Sequence, residues 1–101
     1  MSLDFLLFDD SEGDDETALF DAMACVVPEH EARVEAEIAT VIAWAERSFP
    51  GRRGPIEEGG EWDADLQVSR EQDGRRTYAL SITGTRTFAE AFREHFAQAL
   101  G

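Results

Sequence analysis

Apolar residues recur along this chain with two different periods, and the places where the period changes mark the elements. Val34, Ile38, Val41, Ile42, Ala45 and Phe49 fall at helical spacing, a stripe that predicts one long helix from Pro28 to about Phe49. Pro28 suits the first helical position, where its missing N–H is no loss, and Glu29 and Glu31 suit the positive end of the helix dipole. Pro50 and Gly51 stop the helix. Trp44, on the flank of the stripe, reads as core in preference to a contact patch, and Glu29, Glu37 and Thr40 on the opposite face read as solvated. A second helix is expected over residues 87–100. Thr87 stands three residues before Glu90, a capping-box spacing, and Phe88, Phe92, Phe96 and Ala99 form an aromatic seam.

Elsewhere the period is two. In WDADLQVSR, residues 62–70, Trp62, Ala64, Leu66 and Val68 alternate with Asp63, Asp65, Gln67 and Ser69, the pattern of a half-buried strand. RTYALSITG repeats it, with Tyr78, Leu80 and Ile82 against Thr77, Ala79, Ser81 and Thr83, and Asp73-Gly74 supplies a turn between the two strands. LDFLLF, residues 3–8, is a short apolar run. TALFDAMACVV, residues 17–27, is mixed in propensity, because its Ala, Leu and Met favour a helix while CVV before Pro28 favours an extended end. Read as strands, these two segments make a first hairpin whose loop is the intervening run. The order is then ββαββα in a single domain spanning 1–101. It predicts an α+β two-layer sandwich, with a four-stranded, mainly antiparallel sheet carrying both helices on one face. The sheet edges leave room for a homodimer.

Charge sharpens this picture. The chain has 101 residues, 22 acids, nine arginines and no lysine, for a net charge of −13. The absence of lysine removes Schiff-base chemistry and the phosphate-loop lysine. Residues 1–50 hold 13 of the acids and two arginines. Such a field repels a phosphate backbone, so nucleic-acid binding is disfavoured, whereas a basic protein surface would be steered toward it. The N-terminal MSLDFLLFDD has no basic region of the kind that opens a signal peptide. No run approaches the ~20 apolar residues that span a bilayer. With one cysteine, Cys25, no internal disulfide forms, and the expected compartment is the cytoplasm.

The densest acidic run, FDDSEGDDE, carries Asp9, Asp10, Glu12, Asp14, Asp15 and Glu16. It fails as an EF-hand loop. With Gly13 at the sixth position the first and twelfth are Phe8 and Leu19, and with Asp9 first the sixth is Asp14 and the twelfth Phe20. It reads as a solvated hairpin loop. Neither His30 nor His95 belongs to a zinc motif. Cys25 reads as a small buried hydrophobe, and Ser69 and Ser81 lack the nucleophile-elbow glycines. Asp63 and Asp65, two apart on a strand, project to one face. No catalytic residue, metal or cofactor is assigned.

Two functional classes follow. The first is a non-enzymatic binding protein (an inhibitor, an immunity-type protein or an adaptor) whose acidic run meets a basic protein surface. The second is a small ligand- or metal-binding domain, or an enzyme, that uses Asp63, Asp65, Ser81 and Thr83 on the polar face of the sheet.

Overall fold

The computed structural model describes residues 3–13 and 16–101. Four strands, β1 (Asp9–Glu12), β2 (Ala18–Val26), β3 (Trp62–Arg70) and β4 (Arg76–Gly84), form one sheet with the order β1-β2-β4-β3. Every pairing is antiparallel. A helix, α1 (Glu31–Ser48), links β2 to β3, and α2 (Arg86–His95) follows β4. Both helices cover the same face, so the expected two-layer α+β arrangement is the observed one.

The pleat decides what is buried. On β2 the positions Ala18, Phe20, Ala22, Ala24 and Val26 are buried, as are Tyr78, Leu80 and Ile82 on β4. The helices return Val34, Ile38, Val41, Trp44 and Ala45 from α1 and Phe88, Ala89 and Phe92 from α2. Trp44 is core, and meets Phe88, Phe92 and Phe96 edge to face at 5.2–5.8 Å. Phe92 lies 4.2 Å from Phe20 and 5.2 Å from Phe8 between ring centroids. Phe88 stacks on Trp62 at 5.9 Å with the planes 11° apart. Aromatic side chains of this size carry large buried areas each, so this cluster is the main source of core stability.

Gly84 ends β4 opposite Trp62, where a Cβ would sit 2.2 Å from Phe88 Cδ1 and 2.9 Å from Cγ. The absence of a side chain there lets α2 turn back directly onto the sheet. The helix is capped by Thr85, whose Oγ1 accepts from the Phe88 N–H at 3.3 Å and donates to Glu61 Oε2 at 2.5 Å. The cap expected at Thr87 is therefore two residues early in the structure, and Glu90 pairs with Arg86 on the surface instead. The helix also ends sooner than expected, with Ala97–Ala99 continuing as a separate 3-10 turn.

The first hairpin forms, but from different residues. LDFLLF is not a strand of the sheet. The acidic residues Asp9–Glu12 are the strand, paired from Asp9↔Asp21 to Glu12↔Ala18. Leu6 and Phe8 are buried while Leu7 is 58% exposed. The backbone of this run finds other partners. The Glu37 carboxylate accepts from the N–H groups of Asp4, Phe5 and Leu6 at 2.9–3.2 Å. The Phe8 N–H donates to the Ala99 carbonyl at 2.7 Å, and the Phe8 carbonyl accepts from Gly101 at 2.9 Å. Glu37 is thus a structural anchor and not a solvated residue. Charged strands are poor in intrinsic propensity, yet an edge is where they are tolerated, because the outer backbone and side chains stay in water.

Two variants test this frame. Gly84→Ala should lower stability by about 1–3 kcal/mol through overpacking against Phe88, read from chemical denaturation with an unchanged m-value. Glu37→Ala should cost about 1–3 kcal/mol by orphaning the three N–H donors, with faster amide exchange at residues 4–6 while the β4 amides remain protected.

Candidate functional site

Among the described residues, eight arginines are held in ion pairs, at Arg33, Arg52, Arg53, Arg70, Arg75, Arg76, Arg86 and Arg93. Their positions are not random with respect to the sheet. Arg70 and Arg76 are directly opposed at the end of the second hairpin and point to the helix side, an arrangement of like charges that is unfavourable by itself. Glu31, in the first turn of α1, resolves it by meeting Arg70 Nη1 at 2.7 Å and Arg76 Nη1 at 3.6 Å. Glu35, one turn on, takes Arg76 at 3.4 Å and accepts from the Tyr78 hydroxyl at 2.6 Å. Hydrogen bonding from Arg70 holds the Glu31 carboxyl below its ordinary value, against a smaller upward push from burial and with help from the charges of Arg70 and Arg76. Burial, and then the bond to Glu35, pushes the Tyr78 hydroxyl up.

The acidic run divides between the two faces by the same alternation. Asp10 points to the helix side and forms a two-pronged pair with Arg93, at 2.6 and 3.0 Å; Arg93 in turn lies 5.7 Å from the Phe20 ring. Glu12 adds to the field on Arg93. Glu16 lies in the turn, at φ 60°, with Arg86 at 3.8 Å. Asp14 and Asp15 lie outside the described residues. Of the run expected to act as one partner-binding loop, Asp9–Glu12 is therefore a strand, and only Asp9 of its carboxylates shares the face opposite the helices.

That open face assembles residues from all four strands. In register, Asp9 neighbours Asp21, Asp21 neighbours Ser81, and Ser81 neighbours Asp65. Beside this row, Thr83 neighbours Asp63, so Asp63, Asp65, Ser81 and Thr83 do form one contiguous block. Three of these side chains already have partners. Ser81 Oγ donates to Asp21 Oδ1 at 2.6 Å. Asp63 Oδ1 takes Arg53 Nε at 3.3 Å and the Ala64 N–H at 2.9 Å, and Asp65 Oδ2 accepts from Gln67 at 3.5 Å. Among the described residues, no group of three or more His, Cys, Asp or Glu side chains is placed to hold a metal ion.

Asp21 is the open-face residue that the pattern hid, because it sits inside a largely apolar strand; being out of phase with Phe20 and Ala22 was its signal. Cys25 is exposed, not buried, since it shares the pleat phase of Asp21 and Met23. Met23 is 68% exposed and, with Leu7, Asp9, Asp21 and Ser81, lines a shallow depression. At the hairpin end Glu71 accepts from Ser69 at 3.3 Å and Thr77 at 2.8 Å. Among the described residues the face thus carries Asp9, Asp21, Asp63, Asp65 and Glu71, with the guanidinium of Arg53 beside Asp63 and Arg75 paired through its backbone with Glu71 at the hairpin end. His30 lies half-buried against Phe5 at 5.6 Å, and His95 stacks on Trp44 at 5.2 Å, both in packing roles.

No protein-family model, curated protein or solved structure matches the chain.

The Glu31 clamp has a pH consequence. Its carboxyl is held below the value it has in the unfolded chain, so its contribution to stability is complete above that ordinary Glu value and is lost as pH falls through the lower folded value. Urea unfolding between pH 2 and 6, on the order of the carboxylate range, should show wild type and Glu31→Gln separated by a constant gap at the upper end. The gap should close on acidification. A pH-independent gap would show that Glu31 acts by packing alone.

Proposed function

We propose that this chain is a non-enzymatic binding protein, of the inhibitor, immunity-type or adaptor kind, and that its open sheet face engages a basic protein surface. The observation that carries this reading is the segregation of charge. Among the described residues, arginines and their partner carboxylates are gathered largely on the helix side, at the edges and in the loops, while five carboxylates line the open face with Arg53 and Arg75 at its margins. Leu7 and Met23, at 58% and 68% exposure, sit within that acidic frame. An apolar centre ringed by charge is the anatomy of a protein-recognition patch.

The sign of the field selects the partner. Lysine- and arginine-rich surfaces gain from it, in encounter rate first and in register second, whereas nucleic-acid phosphates are repelled. The block at Asp63, Asp65, Ser81 and Thr83 supports catalysis less well, because each acid there is held by a neighbour and no imidazole or thiol adjoins it in the register. Among the described residues, no helix is long and apolar enough to cross a membrane. The exposed Cys25 thiol suits a reducing compartment such as the cytoplasm.

An arginine-rich peptide serves as the probe, followed by amide NMR and titration calorimetry. Amides around Asp9, Asp21, Met23 and Asp65 should shift, and the affinity should fall as salt is raised. The double reversal Asp21→Lys with Asp65→Lys should weaken binding by about tenfold or more at low salt. Glu46→Lys, on α1, should leave it nearly unchanged. Shifts confined to α1, α2 or the turn around Glu16, or an affinity indifferent to salt, would remove the open face from this role.

A further inference from the structure

The two edges of the sheet are built very differently. β1 is four residues long, all exposed and three of them acidic, which protects that edge against pairing by charge. β3 is nine residues long, with its last six exposed. It has no proline. Leu66 and Val68 are 43% and 46% exposed, although they lie opposite the buried Leu80 and Tyr78 and so point to the helix side. Neither helix reaches far enough across to cover them. An apolar, regular, unprotected edge of this kind is a template for another strand.

Hydrogen bonds already present show which groups are available. Trp62 directs its N–H and carbonyl away from β4, toward the Arg52 carbonyl and the Gly54 N–H. The pleat then sends the groups of Ala64, Leu66 and Val68 the same way. Ala64 is occupied: its N–H donates to Asp63 Oδ1, and its carbonyl accepts from Arg53 Nη2 at 3.3 Å. Leu66 and Val68 present the outward backbone groups of the open stretch.

We infer that this edge pairs with the β3 edge of a second copy of the chain, antiparallel, about a two-fold axis at Gln67. This register sets Leu66 opposite Val68 of the partner twice over, so that the four outward groups of each copy bond to one another. On the helix side the four exposed apolar side chains cover each other. On the open side Asp65 faces a serine, Ser69, and Gln67 faces its own copy, so no like charges are opposed between 64 and 70. Ala64, whose backbone groups Arg53 and Asp63 already hold, faces Arg70 of the partner outside these four bonds; moving the axis to Leu66 would set Val68 against Ala64 and leave only the two bonds of the Leu66 pair. The two sheets become one of eight strands, with both acidic faces on the same side. The inference is independent of the basic-partner reading, because a monomer could still bind through its open face.

Sedimentation and light scattering on the full chain, under reducing conditions and from micromolar to millimolar concentration, test it. Wild type should be a dimer in that range. Leu66→Pro removes an outward N–H while leaving the bonds to β4, and Val68→Lys places a charge on the edge. Each should raise the dissociation constant at least about tenfold, with Val68→Lys deciding the matter should the proline variant fail to fold. In a Cys25→Ser background, Gln67→Cys should cross-link to a covalent dimer on oxidation, since its Cα atoms would lie about 4.5 Å apart across the axis. A wild type that stays monomeric at millimolar concentration, a dimer indifferent to Val68→Lys, or a dimer in which Gln67→Cys does not cross-link overturns the proposal.

Discussion

Phe92 of α2 reaches Phe20 at the centre of the sheet, Phe8 on the N-terminal run and Trp44 on α1, all within 6 Å of its centroid. Those contacts can form only if the sheet offers one apolar face and if α2 returns to it immediately after β4. Gly84 permits the second condition by leaving its Cβ volume to Phe88. The pleat supplies the first by sending Phe20, Leu80 and Ile82 to the same side. Burial of the rings therefore fixes the phase of every strand. Once that phase is set, Asp21, Met23 and Cys25 have nowhere to go but the opposite face.

The distribution of charge follows from the same phase. Arg70, Arg76 and Asp10 share the parity of the buried residues on their strands, and each meets an oppositely charged group from a helix at the margin of the core. Such pairs are partly shielded from water, and the two-pronged Arg93–Asp10 geometry is stronger than an ordinary surface contact. They balance charge along the margin between the sheet and the helices. The excess of acid in the composition is consequently displaced to the open face and to the outward surfaces of the helices. A net charge of −13 thus acquires a direction from backbone geometry, a property that composition alone does not carry.

This explains what could be read from the sequence. Periodic segments were legible: α1, β3 and β4 follow patterns that repeat over four or more turns or pleats, and their burial depends on that repetition. The first hairpin was only half legible. LDFLLF has the composition of a strand, but its backbone is claimed by Glu37 and by the C-terminal residues Ala99 and Gly101, which lie far away in the chain. Asp9–Glu12 has the composition of a loop and becomes a strand because β2 needs an outer neighbour. Thr85 and Thr87 compete as caps, and the strand end at Gly84 decides for Thr85. The open-face block of Asp63, Asp65, Ser81 and Thr83 was legible from alternation, while its continuation to Asp21 and Asp9 required the strand order β1-β2-β4-β3.

The one-sided sheet also explains why its edges differ. β1 sits above α2, where Arg93 anchors Asp10, so its outer margin can be short and charged without loss of core. β3 meets the helices at its two ends, where Phe88 covers Trp62 and Glu31 holds Arg70, while Leu66 and Val68 between them stay exposed. The two helices, of 18 and 10 residues, bury the inner positions of β2 and β4 but leave Leu66 and Val68 of β3 43% and 46% exposed on the helix side. The fourth strand is left with apolar residues on the covered side and too little helix to cover them. Leu66 and Val68 retain the alternation of an inner strand at a position where this chain alone provides no inner environment.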